Sequence, residues 1–281
     1  MSRRKRSLPS GWYPFDGKDC KREIESHIEG WSPPPSRSGN GRGGIVPHAG
    51  WYFSGKLAAR VFYSLALKEK VEVVVLYGGH LGPNELPRIV MEEAWETPLG
   101  DIEIRTDFTK SLMKRINAKE ESPSSGDNTV EVQLTMIKYF FPEARLLAIR
   151  SPASLQAERL GKEVAEMAQR EQVPIIAVGS TDLTHYGPNY GFLTKGTGLS
   201  SVEWVKKEND KEWIDHALKM DLEGLLEHAR KNHSACSTGA AASAIATCKA
   251  LGAEKGMLLE YLNSYDILPD NSFVGYAGIV Y

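Results

Sequence analysis

Three of the seven histidines lie in turns rich in glycine or proline: His48 in Pro47-His-Ala-Gly50, His80 in Gly78-Gly-His-Leu-Gly82, and His185 in Thr184-His-Tyr-Gly187. Glycine lets a backbone turn sharply and lets a ligand approach it closely. Each turn follows an apolar run that reads as a strand: residues 44–47, 71–77 and 173–178. In open α/β sheets, side chains at the carboxyl ends of strands face a common crevice, so three histidines placed there point to one site. Asp182 lies three residues before His185, and Cys236 stands just ahead of an alanine-rich segment that reads as a helix. A helix N-terminus favours negative charge and so favours a thiolate.

Two kinds of chemistry fit these residues. Two imidazoles and the Cys236 thiolate can hold a divalent metal and leave positions open for substrate. Alternatively, Cys236 as nucleophile, His185 as base and Asp182 as its orienting acid would suit acyl or amide chemistry. Spacing alone admits both. The chain has no HExxH, no CxxC pair, no P-loop and no GxGxxG set between strand and helix, which argues against zincin, zinc-finger and nucleotide readings. The run Gly39-Asn-Gly-Arg-Gly-Gly44 precedes a strand and makes a poor phosphate loop. His27, His216, His228 and His233 occur in charged contexts that read as surface. Cys248 reads as core, and Cys20 carries no functional signal.

The elements that must position these residues read as α/β. The runs at 71–77, 145–149 and 173–178 are apolar on both faces, as in a sheet covered on both sides. Between them, helical spacing marks 54–68 (with Ser54 as a possible cap), 129–140, 155–170, 211–230 and 237–251. Residues 129–133 also fit a strand. Gly252 is placed to end the last helix, and 257–262 and 272–281 read as closing strands. The expected fold class is a three-layer α/β/α sandwich with a mixed, mostly parallel sheet. The whole chain, 1–281, reads as one domain that includes the N-terminal segment and Pro/Gly-rich loop at 1–44.

Composition sets the class of partner. Lys and Arg number 34 against 36 Asp and Glu, a net charge of −2, so no general basic field is present for nucleic acid or anionic membrane. No apolar run approaches the length of a membrane span. Three cysteines in 281 residues do not form a disulfide framework, which fits a reducing cytoplasm. The opening Met-Ser-Arg-Arg-Lys-Arg6 has no apolar stretch after it and reads as a solvated terminus, not a secretory signal.

The motifs together resemble the Memo family. They are Gly11-Trp-Tyr-Pro-Phe-Asp16, the segment from Val46 through Phe62, Gly78-Gly-His-Leu-Gly-Pro-Asn84, 127–134, Gly179 through Gly191, Ala235-Cys-Ser-Thr-Gly-Ala-Ala241 and 261–281. The family is similar in fold to the class III extradiol ring-cleaving dioxygenases. The resemblance implies that His48, His80 and Cys236 are metal ligands, with cysteine where the dioxygenases carry a carboxylate. It implies an acid/base role for His185 and makes Asp182 its acidic partner. It also implies Fe(II), with Cu or Zn admitted by the thiolate, and a small aromatic substrate. A peptide or phosphorylated ligand held without catalysis is the alternative occupant of the cleft. The chain departs from the family pattern at three places. Asn128 stands where a histidine is usual, Cys236-Ser-Thr-Gly-Ala240 lacks the usual CGxxP, and Gly78-Gly-His80-Leu-Gly82 replaces GPxHxG. The primary positions survive, and the altered wall implies a substrate of its own or a loss of activity.

Overall fold

The computed structural model describes residues 2–34, 41–67 and 70–281. Gly39-Asn40 of the glycine-rich run and Lys68, the expected end of the first core helix, lie outside them. In chain order come β1 (Arg3–Arg4), α1 (Gly17–Ile28), β2 (Gly43–Val46), α2 (Trp51–Ala66), β3 (Val73–Leu81), β4 (Arg88–Ile89), β5 (Ala94–Trp95) and β6 (Ile102–Glu103). Then follow α3 (Thr106–Ile116), β7 (Lys119–Glu120), α4 (Asn128–Phe140), β8 (Arg145–Pro152), α5 (Gln156–Glu171), β9 (Ile175–Ser180) and β10 (His185–Tyr186). The last part holds α6 (Leu199–Trp204), a π-helical turn over Val205–Asn209, α7 (Asp210–Leu218), α8 (Leu222–Asn232), α9 (Thr238–Ala250), β11 (Met257–Asn263), α10 (Ser264–Ile267) and β12 (Phe273–Val280).

The main sheet runs β10-β12-β2-β9-β3-β8-β4-β7, with β11 paired to β12. Its centre, β2-β9-β3-β8, is parallel. Strands β10, β11 and β2 are antiparallel to β12, and β4 is antiparallel to β8, so the sheet is mixed. Side chains of β3 alternate between two cores: Val73, Val75 and Tyr77 face one, Val74 and Leu76 the other. Helices α1, α2 and α4 cover one face, and α3, α5, α8 and α9 cover the other, which makes the sandwich. The small side chains Ala240, Ala241 and Ala244 let α9 lie close against β9 and β3.

Several expectations change. Segment 129–133 is helical, within α4, and Asp127 caps that helix by accepting from the Thr129 amide at 3.0 Å. Helix α2 starts at Trp51, so Ser54 is inside it and its hydroxyl donates to the Ala49 carbonyl. The expected helix 211–230 is two helices. Met220 takes a left-handed backbone (φ 55°) between them, and Asp221 caps α8 through the Gly224 amide. His228 is buried, with Nδ1 2.8 Å from the Ser234 hydroxyl, and is not a surface residue.

The basic N-terminus is not a solvated tail. Arg4 is buried, pairs with Glu92 at 3.0 Å, donates to the Ser122 carbonyl at 2.8 Å and lies over the Trp95 ring. Cys20 is fully buried, and burial pushes its thiol up to about 12. Farther along, Glu131 of α4 accepts from the Ser7 and Leu8 amides and from the Tyr13 hydroxyl at 2.9–3.0 Å. This one carboxylate pins residues 7–13 across the helix layer.

Removing it leaves buried donors unpaired. Glu131→Ala should therefore lower unfolding free energy by on the order of 3 kcal/mol, measured by urea denaturation. Trypsin should cut faster after Arg6 in the folded variant. Equal cleavage of variant and parent would show that the segment is held by its apolar contacts instead.

Candidate metal centre

The three central strands carry the site. His48 follows β2 by two residues, His80 lies near the end of β3, and Asp182 and His185 follow β9. These strands are neighbours in the order β2-β9-β3, so their carboxyl ends deliver the three side-chain sets to one crevice. Strand β3 continues through Gly78-Gly79, so His80 is within the strand rather than after it. The pairing with β8 shifts register between Gly78 and Leu81, and Gly79 takes φ 90°. A bulge of this kind re-aims the next side chain. The Arg150 side chain packs where a Cβ on Gly79 would stand, which makes glycine necessary there.

Cys236 arrives from the other direction. Ala235 bridges Leu183, and the Cys236 amide donates to the Asp182 carbonyl at 3.2 Å. The Ser237 amide donates to the Thr181 hydroxyl at 3.0 Å, and α9 begins at the next residue. The thiol is thus stapled to the end of β9 at a helix N-terminus.

The ligand atoms of His48, His80 and Cys236 all lie within 4.8 Å of one another. His48 Nε2 is 3.1 Å from Cys236 Sγ, and the two imidazole rings meet edge-on with centroids 5.3 Å apart. Two imidazole nitrogens and one sulfur, converging on a point, fit one transition-metal ion at bonds of about 2.0–2.3 Å. The charge pattern agrees. Burial opposes ionisation of Cys236, but the nearby His48 and His80 overcome it and hold the thiol well below its ordinary value. Burial likewise works against a charged His48, yet the Cys236 thiolate and Asp182 push it up to about 9. For His80, Asp127 first and then Cys236 push it up to about 10.

Asp182 is buried and its Oδ1 accepts from the His48 amide at 2.7 Å. Its Oδ2 is 3.9 Å from both His48 Nε2 and His185 Nε2, so it stands between the two imidazoles. Burial raises its pKa, and His48 offsets part of that. His185 is on the cleft wall, packed against Tyr190 with ring centroids 4.9 Å apart. The geometry pairs Cys236 with His48, not with His185, so the nucleophile–base set drawn from spacing does not form as drawn.

The segment 127–133 supplies what spacing did not show. Asp127 lies 3.6 Å from His80 Nδ1 and 2.9 Å from Arg150, whose other nitrogen reaches the buried Glu121 at 3.0 Å. Burial opposes the charge on Asp127, but His80 and Thr129 hold it well below the usual carboxylate range. The Asn128 amide donates to the His48 carbonyl at 3.0 Å, and the Gly79 amide donates to Thr129 Oγ1 at 2.7 Å. Gln133 donates to the Pro47 carbonyl at 2.7 Å and to Ser180 Oγ at 3.2 Å; that hydroxyl is 3.3 Å from His48 Nδ1. The only advance signal was the motif itself, since its polar residues fall on buried positions of a helix. The Asn128 side chain is thus a neutral donor to the backbone of the His48 turn.

Two clefts open onto this centre and share His80, His185 and Tyr190. One, of about 450 Å³, is lined by His48, Trp12, Phe53, Tyr276 and Asp270 among others. The second, of about 520 Å³, is lined by Phe192, His233 and Cys236. Neither lining includes a lysine or an arginine among the described residues.

A family model described as Memo-like protein matches residues 4–280. A MEMO1 family protein of Thermococcus onnurineus is 32% identical over 249 residues, covering 85% of this chain and 86% of that protein. One from Methanopyrus kandleri is 30% identical, covering 96% and 95%, and one from Nitrosopumilus maritimus is 31% identical, covering 98% of each. A solved structure of an uncharacterized protein from Escherichia coli K12 aligns at 13% identity and a TM-score of 0.39, covering 78% and 91%. Matched by that family model over residues 4–280 and by relatives along nearly its full length, the chain belongs to the Memo family.

Proposed function

We propose that this protein is a metal-dependent oxidoreductase of dioxygenase type that acts on a small aromatic molecule. The observation that carries the reading is the convergence of His48, His80 and Cys236 at the base of a cleft walled by His185. Fe(II) is the proposed metal, and the thiolate would also suit Cu or Zn. Fe(II) held by these residues would supply open coordination positions and electrons for oxygen chemistry, whereas Zn would supply Lewis acidity alone.

The chain's own groups take the remaining tasks. Asp127 orients His80 through Nδ1, and the Ser180 hydroxyl stands at His48 Nδ1, leaving each Nε2 for the ion. Trp12, Phe53 and Tyr276 offer aromatic surface for a ring. His185 is open to the cleft, where its imidazole can take or return a proton at a substrate hydroxyl. Asp182, fixed by the His48 amide, stabilises the charge that His185 then carries. A phosphorylated ligand fits less well, because no lysine or arginine lines either cleft.

Protein purified without oxygen should hold about one transition-metal ion per chain, as a single mononuclear site requires. His48→Ala and Cys236→Ala should abolish that metal, whereas His185→Ala should retain it and lose turnover by about 10²–10⁴-fold, the usual contribution of positioned proton transfer. Full metal in both ligand variants would overturn the site. Metal loss in His185→Ala equal to that in His48→Ala would make His185 a ligand instead. Metal binding with no turnover on any aromatic would leave a binding protein.

Bound metal should also shield Cys236 from iodoacetamide. Because Cys20 and Cys248 are buried thiols held above their ordinary pKa, labelling of the native chain should report Cys236 alone. Mass spectrometry with and without metal reads the outcome. Equal labelling rates would favour a free nucleophile.

A further inference from the structure

Beneath the segment that carries Asp182 and His185 lies a second buried acid, Asp210, the first residue of α7. Its Oδ1 accepts from the Thr184 amide at 3.1 Å and from the Thr184 hydroxyl, and its Oδ2 accepts from the Tyr261 hydroxyl at 2.7 Å. The direction of these bonds is set by their neighbours. The Asn209 amide donates to Thr184 Oγ1 at 2.9 Å, so that hydroxyl's own proton points to Asp210. The Asn263 amide approaches the Tyr261 oxygen at 3.5 Å, which leaves the phenolic proton for Asp210 as well. All three partners therefore donate, and the seat is built for an ionised carboxylate.

Several separate features of the fold make room for it. The π-helical turn Val205–Asn209 ends at Asp210, and such turns commonly mark functional sites in helices. Gly275 of β12 lies opposite, where a Cβ would stand 1.8 Å from Asp210 Oδ2. The backbone of Gly275 also brackets the loop, accepting from the Leu183 amide at 2.8 Å and donating to the Thr184 carbonyl at 3.1 Å. Asn209 extends the link by donating to the Asn232 carbonyl at 3.0 Å, four residues before Cys236.

We propose that Asp210 is the positioning residue of the catalytic loop: its carboxylate, hydrogen-bonded to Thr184, sets where His185 stands. The consequence for catalysis rests on the proposed role of His185, but the seat itself can be tested without substrate or metal. Burial pushes Asp210 up to about 7, and the Thr184 and Tyr261 hydrogen bonds offset only part of that rise. Tyr261 is the titratable side chain that reaches Asp210 from β11, with Asp266 acting on it in turn. Thr184 and Asn209 do not titrate, and Gly275 presents only backbone from β12. The loop's anchor is then complete above about pH 7. Below that pH the acid must donate where every partner already donates.

The test follows the Thr184 amide by NMR from pH 5.5 to 8.5 in a His185→Gln background, so that the residue next to the reporter carries no imidazole. One transition near pH 7 is expected, with exchange protection at Thr184 rising about tenfold across it, the effect of one hydrogen bond. Asp210→Asn in the same background should be flat. The fold has an independent signature. An acid whose folded pKa exceeds its unfolded value loses stability as pH rises through that interval, so the stability of Asp210→Asn should depend less on pH between 4 and 7 than the parent's. Tyr261→Phe keeps the acid and removes one donor, so it should move the transition upward, and it serves if Asp210→Asn does not fold. A transition that survives in Asp210→Asn, or its absence from the His185→Gln parent, would overturn the proposal. So would a Tyr261→Phe variant with an unmoved midpoint. Metal content, measured separately, tells failure of this inference from failure of the proposed function.

Discussion

The burial of negative charge at Cys236 is the constraint on which the rest of the structure depends. A thiolate taken out of water is costly unless cations and donors surround it. Here two imidazoles face it, and neither is left to itself. His48 is held against Asp182, and His80 against Asp127. Asp127 in turn meets Arg150, and Arg150 meets the buried Glu121. Charges alternate in sign from the sulfur outward to the edge of the sheet. Each member makes the next affordable in a low-dielectric interior, so the set should behave as a unit and not as separable pairs. A divalent ion at the centre can replace the imidazole protons without disturbing this alternation.

The first turns of α4 are where this charge pattern meets the backbone. Asp127, Asn128, Thr129, Glu131 and Gln133 are polar residues at or near buried positions of one helix. They reach the His80 ring, the His48 carbonyl, the Gly79 amide, the N-terminal segment and the Ser180 hydroxyl. A helix is stiff, so one rigid element sets the relative positions of two strand ends and the chain terminus. This also accounts for the double appearance of the segment in the sequence. Its alternation of Val130, Val132 and Leu134 resembles a strand because the residues between them are buried for polar reasons.

The parts legible from sequence were those governed by repetition and by covalent neighbourhood. Doubly apolar runs announced β3, β8 and β9, and glycine-flanked histidines after them located the crevice. Alanine content marked α9 as the helix that lies close to the sheet. What escaped was set by distant partners. Nothing near Arg4 announces that Glu92 and Trp95 will bury it. His228 looked like a charged-surface residue because Ser234, which accepts it into the interior, gives no periodic signal. The break at Met220 depends on a left-handed residue with no glycine to advertise it. Spacing along the chain left Cys236 open to His48 or His185; the resemblance pointed to His48, and the structure groups it with that residue and His80.

The site divides into a rigid half and an adaptable half. The three candidate ligands are fixed from the sheet and from α9, with Asp182 and the start of α4 bracing them. The walls of the two clefts come largely from elsewhere: Trp12 from the N-terminal segment, Tyr190 and Phe192 from the loop after β10, Leu268 and Asp270 from the loop before β12. That loop after β10 holds Gly187, Gly191, Gly196 and Gly198, all with positive φ, so it is built from turns and not from packed layers. Substitutions in these loops can therefore reshape the cleft walls at little cost to the alternating charges beneath them. Two of the three places where the resemblance implied other residues, Asn128 and the turn after Cys236, lie in the rigid half. Asn128 lines the cleft and donates to the His48 carbonyl. After Cys236, the start of α9 is held by the Ser237 backbone amide on the Thr181 hydroxyl, a bond that any residue but proline at 237 could make.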